Sequence, residues 1–401
     1  PPQIGRYKVA HIKRNVTAGD LSEEQEDIED LELDGQHLII GGPGTGKSVL
    51  CLSRARMLNK KSKPYCFLVF NVLLERATRQ LYPDITSSRW IRWIKREFWG
   101  RYNKGLREKS NKPGDFDWSL AKQTIDEKQE EHQPMALQDG DIQYFILDEG
   151  QDMPVGFYEV LIDMGWENLF VAADENQSIT GLNSTIANLR DVLGLSGVHE
   201  QHDLHENFRQ KDKGFFVAQL ANEFYCETAS NQVSLPAISR STEIPWVYKY
   251  RAGHLDTICK KILLRCHNNP KELIGILAPN HTIRNKYLGI LQSIQQSEIL
   301  ISTYDGNESS VESIHFDRGG VVVICAQSCK GLEFDTVFIA DINEFWVRQD
   351  ACTTKKLFFV MTSRARERIY LLRDGAVQRC PVEDQAILPR DDNILKRNYP
   401  I

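Results

Sequence analysis

Eight consecutive residues, Gly41-Gly42-Pro43-Gly44-Thr45-Gly46-Lys47-Ser48, follow the pattern GxxxxGK[ST]. The chemistry of that pattern is phosphate capture. Glycines let backbone N–H groups curl around phosphate oxygens, and a helix starting at the end of the loop turns its positive end toward them. Lys47 can reach the β- and γ-phosphates of a nucleotide, and the Ser48 hydroxyl suits Mg²⁺. One hundred residues further on, Ile146-Leu147-Asp148-Glu149-Gly150-Gln151-Asp152 puts two adjacent acids at the end of an apolar run. A carboxylate at the tip of a buried strand is costly unless it holds a metal or accepts hydrogen bonds. Asp148 therefore suits Mg²⁺, and Glu149 suits the base that orients an attacking water.

The elements that must position these residues follow from the hydrophobic pattern. Apolar, β-rich runs at 37–40, 65–70, 142–147, 168–173, 273–278, 321–325, 336–340 and 368–372 alternate with helical patterns. Continuous rather than alternating hydrophobicity suits parallel strands buried on both faces, so the expectation is α/β with crossover helices. The glycine loop lies between the strand-like 37–40 and the helix-like 49–58, which is the context it requires. No repeat of 20–50 residues and no low-complexity segment interrupts this rhythm.

With 401 residues, 41% of them hydrophobic, the chain has material for more than one core. No apolar run approaches the ~20 residues of a membrane-spanning helix. Residues 1–6 carry no charged-then-apolar leader, so a cytoplasmic protein, or a nuclear one in a eukaryote, is expected. Lys+Arg 49 against Asp+Glu 55 gives a net charge of -6, which excludes a globally basic coat and confines nucleic-acid binding to local patches. The nine cysteines are scattered without a CxxC pair, which argues against a zinc site and against a disulfide framework.

Two segments break the pattern. Residues 20–34 hold nine acids and no base, reading as a solvated amphipathic helix with Leu21, Ile28 and Leu31 inward. Residues 89–112 hold nine bases and two acids, laced with Trp90, Trp93, Phe98, Trp99 and Tyr102. Aromatics interleaved with cations are what a sequence-neutral single-strand groove needs. The helical spacing of Trp90, Trp93, Ile94 and Phe98 equally suits an ordinary buried face. The expectation is mixed, with some tryptophans packed and Arg92, Lys95, Arg96 and Arg101 on the solvent side.

Taken together, the motifs resemble those of superfamily 1 helicases of the UvrD/PcrA/Rep type. Asp148-Glu149-Gly150-Gln151-Asp152 resembles the family's DExQD Walker B, and Ala173-Asp174-Glu175-Asn176-Gln177-Ser178-Ile179 its GDxxQSI motif. Leu204-His205-Glu206-Asn207-Phe208-Arg209 is similar to L-x-x-N-Y-R. Lys330-Gly331-Leu332-Glu333-Phe334 matches the KGLEF box, and Phe359-Val360-Met361-Thr362-Ser363-Arg364-Ala365-Arg366 resembles YVxxTRA. The order is the family's, over residues 25 to 366.

The resemblance implies two RecA-like P-loop NTPase lobes with parallel sheets and an ATP–Mg²⁺ site in the cleft between them. The first lobe would take residues 1–204, with a small basic and aromatic insertion at about 86–130, and the second residues 205–401. Gln177 would sense the γ-phosphate, and Arg209 and Arg364 would be arginine fingers. Phe208 would stack on adenine and Glu333 accept from the ribose. Gln25 resembles the family's adenine-reading glutamine, although Ser22-Glu23-Glu24-Gln25 is also a capping box. Asn71 resembles a nucleic-acid backbone contact.

Departures from the family concern the track. The third motif continues Thr180-Gly181-Leu182-Asn183 without the usual stacking aromatic, Cys325 and Gln327 stand at the usual Thr and His of the fifth, and Ser363 replaces Thr in the sixth. Between Arg209 and Ile324 little room remains for a large accessory domain. The expectation is a compact ATP-hydrolysing translocase or helicase on single-stranded DNA, or RNA, with a protein partner such as a nuclease or recruitment subunit. The alternative is an ATP-hydrolysing switch controlled by a protein.

Overall fold

The computed structural model describes residues 21–131, 141–178, 181–195, 201–210, 213–226, 233–238, 242–251, 253–295, 298–347 and 350–398. Within them the chain forms two sheets, both entirely parallel. The first comprises β1 (Gln36–Gly41), β2 (Tyr65–Val69), β3 (Ser87–Arg89), β4 (Tyr144–Leu147), β5 (Asn168–Ala173) and β6 (Gln201–Leu204). Their order is β3-β2-β4-β5-β1-β6. The second comprises β7 (Trp246–Tyr250), β8 (Leu273–Ala278), β9 (Ile301–Thr303), β10 (Gly320–Cys325), β11 (Phe334–Ile339), β12 (Ala365–Asp374) and β13 (Lys396–Asn398). Their order is β13-β7-β12-β11-β8-β10-β9.

The continuous apolar runs have the expected cause. Successive residues of a strand point to opposite faces. In β1, Leu38 and Ile40 enter one core while Ile39 enters the other. Helices cover both faces, so every position of a central strand must be apolar. All eight expected runs are strands, with ends moved by at most three residues. The sequence pattern misses β3, β6, β7, β9 and β13. Four of these are sheet edges and β7 is next to one, so less of each is buried and polar residues are tolerated.

The acidic segment forms a shorter helix than 20–34, Glu23–Glu29, with Ile28 buried and Leu21 and Leu31 half-buried. In the basic segment, helix Trp90–Tyr102 buries Trp90, Trp93, Ile94 and Phe98 against the first sheet, while Trp99 is 57% exposed. The cysteine expectation is corrected: Cys226 and Cys352 form a disulfide, and the other seven are free. A sequence separation of 126 leaves no local spacing from which that pairing could be read.

The two sheets dock directly. Helix Val72–Leu81, which follows β2, contributes Leu73 and Ala77 to the core of the second sheet. On the same helix, the Gln80 amide donates to the Ile314 carbonyl at 2.8 Å and accepts from the Phe316 N–H at 2.8 Å. Among the described residues, no helix is long and apolar enough to cross a membrane.

Candidate functional site

β4, β5 and β1 are neighbours, so their carboxyl ends release three loops side by side: 148–152, 174–178 and 41–48. In open α/β sheets that edge is where ligands bind. The glycine loop is braced from within. Thr45 Oγ1 donates to the Gly42 carbonyl at 2.9 Å, and Lys47 Nζ to the carbonyls of Gly41 and Gly42 at 2.6 and 2.9 Å. Gly46 precedes helix Lys47–Lys60 with φ 95°, where a Cβ would lie 2.3 Å from Gln25 Nε2. Gly42 has no room for a side chain either, since a Cβ would come within 1.9 Å of Val233 Cγ2. Pro43 and Gly44 line the adjoining cleft, and the Gly44 carbonyl accepts from the Phe208 N–H at 2.8 Å.

Gln25 combines two placements. It closes the capping box with Ser22, and its side-chain amide donates to the Thr45 carbonyl at 2.9 Å.

Four carboxylates are buried beneath the loop: Asp148, Glu149, Asp152 and Asp174. Burial, then the charge of Glu149, pushes Asp148 up to about 6, against hydrogen bonding from Ser48 and the pull of Lys47. Burial also acts to raise Glu149, but Lys330, Lys47, Arg364 and the Gln151 hydrogen bond outweigh it and hold that carboxyl below its ordinary value. Burial pushes Asp152 up to about 7, although Lys330 pairs with it at 2.6 Å. Asp174 is raised by burial and accepts from Gln177 Nε2 at 2.7 Å. Glu149 itself has φ 59° and ψ 42°, a left-handed backbone unusual for a side-chain-bearing residue. Gln151 holds it in place: its Nε2 donates to Glu149 Oε2 at 2.7 Å and its Oε1 accepts from the Asp174 N–H at 2.9 Å.

The opposite wall comes from segment 208–209 and the residues before β11 and β12. Arg364, 1% exposed, donates through Nη2 to Gln177 Oε1 at 2.5 Å and to Ser363 Oγ at 2.9 Å, and through Nε to the Val360 carbonyl at 2.9 Å. Arg209 donates to Glu333 Oε1 at 2.7 Å and to the Ser363 carbonyl at 2.8 Å. Between the walls lies a cleft of about 180 Å³. Lys47, Ser48, Glu149 and Gln177 line one side; Phe208, Arg209, Glu333, Arg364 and Arg366 line the other. Asp148 lies beneath Ser48 on a smaller adjoining cavity of about 80 Å³.

Several groups here have no role that their motifs suggest. Arg366 lines the cleft, Gln151 orients Glu149, and Lys330 pairs with Asp152. Each lies inside a motif already singled out, so proximity in sequence to Arg364, Asp148 and Glu333 was the available signal.

For Mg²⁺ the donors are few. Among the described residues, no group of three or more His, Cys, Asp or Glu could hold a metal. Ser48 and Asp148 offer one hydroxyl and one carboxylate, hydrogen-bonded to each other. That set fits Mg²⁺, which takes most of its ligands from water and phosphate oxygens.

The residues expected to touch nucleic acid are not gathered at the cleft. Asn71 caps helix Val72–Leu81 through the Leu74 N–H at 2.8 Å, and its Nδ2 donates to the Lys330 carbonyl at 3.2 Å. Arg92 pairs with Glu308 at 3.2 Å and Glu75 at 3.5 Å, and Lys95 with Glu108 at 2.7 Å. Arg96 is exposed. Arg101 departs from the expected solvent side. It pairs with Glu97 at 2.7 Å and lies 4.2 Å over the Trp166 ring, because the last turn of its helix packs on the first sheet's core. Ile179 and Thr180 of the third motif lie outside the described residues.

No protein-family model and no curated protein matches the chain. Among solved structures, it is similar to the C-terminal domain of a possible DNA helicase from Lactobacillus plantarum WCFS1, at 15% identity and a TM-score of 0.32. That alignment covers 47% of this chain and 98% of the other, a likeness too loose to assign an activity.

Proposed function

We propose that this chain is an ATP hydrolase coupled to nucleic acid, a compact two-lobed motor of the superfamily 1 kind, with lobes at 1–204 and 205–401. One observation carries the reading. The glycine loop, Glu149 and Gln177 meet Arg209, Glu333 and Arg364 around a single cleft, although 155 residues separate Arg209 from Arg364.

In this reading the N–H groups of 44–48 and the Lys47 ammonium hold the phosphates. Ser48 and Asp148 hold Mg²⁺, which when bound neutralises phosphate charge. Glu149, kept ionised by Lys330 and Lys47, accepts the proton of the attacking water at its carboxylate. Gln177 lies beside the terminal phosphate, and Arg209 and Arg364 neutralise the charge that develops there. Phe208 and Gln25 flank the base and Glu333 receives the ribose, for which the Arg209–Glu333 pair must loosen. Single-stranded DNA as the track, and 3′→5′ movement, rest on the motif resemblance.

A second reading, an ATP-hydrolysing switch controlled by a protein partner, is favoured by helix Trp90–Tyr102. Arg92, Lys95 and Arg101 are paired with acids, and Trp90 and Trp93 are buried, so the expected groove for a single strand is largely consumed by packing.

The experiment is steady-state ATP hydrolysis with no polymer, poly(dT) or poly(U), with Lys47→Ala and Glu149→Gln as controls. Strong stimulation by one polymer, lost in both variants, supports the motor and names its track. Activity indifferent to polymer favours the switch, and no activity above the Lys47→Ala background removes both.

A further inference from the structure

The loops of the first sheet bury four carboxylates, Asp148, Glu149, Asp152 and Asp174, beside the ammonium of Lys47. The second sheet supplies two more cations. One is Arg364 on Gln177; the other is Lys330, 1% exposed, whose role the reaction above does not define. Its Nζ pairs with Asp152 Oδ2 at 2.6 Å, lies 3.9 Å from Glu149 Oε2 and donates to the Gln177 carbonyl. One ammonium thus touches both the loop after β4 and the loop after β5.

The backbone that carries Lys330 is pressed onto the first sheet's helix. Asn71 Nδ2 donates to the Lys330 carbonyl at 3.2 Å. The next residue, Gly331, has φ 77°, and a Cβ there would lie 2.8 Å from Leu74. A larger residue at that turn would push it off helix Val72–Leu81 and withdraw the lysine. On the other side, Glu149 sits in a left-handed backbone, which persists only where surroundings over-determine it. Gln151 supplies one such restraint from within the first sheet, and Lys330 supplies one from outside.

Resting on the reading above, we propose that Lys330 is a positioning residue. Delivered by the second sheet, its ammonium fixes Glu149 and Gln177 in their working places, so the cleft is competent only while the two sheets are docked. The competing account is a buried ion pair that merely neutralises Asp152.

Three variants separate the two: Lys330→Arg, Lys330→Gln, and Lys330→Gln combined with Asp152→Asn. The combined variant replaces the ion pair by two amides and leaves no unpaired charge at that contact, so it serves as the readout if the single glutamine variant fails to fold. Positioning predicts that the combined variant regains the wild-type melting temperature while its kcat stays about 100-fold down, the scale of a misplaced reacting group. Its Kd for ATP stays within about 3-fold of wild type, and Lys330→Arg recovers part of the rate. The proposal is overturned if the combined variant hydrolyses ATP at the wild-type rate, or if kcat and ATP binding fall in parallel. If the wild-type chain hydrolyses nothing, the ATPase reading falls by itself and amide hydrogen exchange decides. Faster exchange across 149–152 and 174–178 in the combined variant then sustains the positioning role of Lys330, and unchanged exchange overturns it.

Discussion

Arg364 Nη2 donates to Gln177 Oε1 at 2.5 Å, joining the residue before β12 to the loop after β5. Gln177 in turn donates to Asp174, so one amide relays between a guanidinium of the second sheet and a carboxylate of the first. Only the planar fork of arginine can serve Gln177, Ser363 and the Val360 carbonyl at once. Arg364→Lys is expected to lower kcat for ATP about 1,000-fold, the lower range for an arginine finger, with a smaller effect on ATP binding. A rate within tenfold of wild type would remove Arg364 from the reaction.

Gly46→Ala places a side chain at φ 95° and against Gln25. Gln25 can swing aside, but the backbone cost remains, so a loss of about 1–3 kcal/mol in stability is expected along with ATP binding. Urea unfolding and nucleotide titration of the same sample check both halves.

The aromatic segment divides cleanly by burial. Trp90→Ala empties a site that is 1% exposed and should cost about 3–5 kcal/mol. Trp99→Ala should stay within about 0.5 kcal/mol, being 57% exposed. If Trp99→Ala also abolishes stimulation of hydrolysis by poly(dT) while the melting temperature holds, the exposed edge of helix Trp90–Tyr102 is the strand contact.

Alkylation of the denatured, unreduced chain should label seven of the nine cysteines, and all nine after reduction. Nine labels without reductant would show that Cys226 and Cys352 are not joined. Where the bond is present, Cys352→Ser should lower stability by about 2–4 kcal/mol.

Asp152 links stability to pH. Its carboxyl is raised from 3.8 to about 7, chiefly by burial, so between those values the folded protein keeps a proton that the unfolded chain has released. Its contribution to stability is therefore lost as pH rises through that window, and is level on either side. Asp152→Asn should show a shallower fall in melting temperature between about pH 4 and pH 7. A fall as steep as in the wild type would assign the effect to other groups.

Much of this architecture is written in single stretches of sequence. The run Gly41–Ser48 specifies a turn that only glycines can make, and strands such as β1, β5 and β8 announce themselves because both faces are buried and every residue must be apolar. The acids after β4, Glu333 before β11 and Arg364 before β12 stand within contiguous motifs, so their identity as candidates is legible in the sequence.

What the sequence left open depends on contacts between distant segments. Whether Trp93 stacks on bases or on Phe145 is decided by which sheet face its helix meets, since helical spacing suits both; the ring sits 4.9 Å from Phe145. Arg92 faces solvent as its spacing suggests, but its partner there, Glu308, comes from 216 residues away. The Cys226–Cys352 pair and the Lys330 contact with Asp152 and Glu149 have no local pattern for the same reason. Local sequence fixes backbone geometry and burial through short-range sterics and apolar periodicity, whereas the pairing of charges and thiols across two docked sheets is set only when the chain has folded.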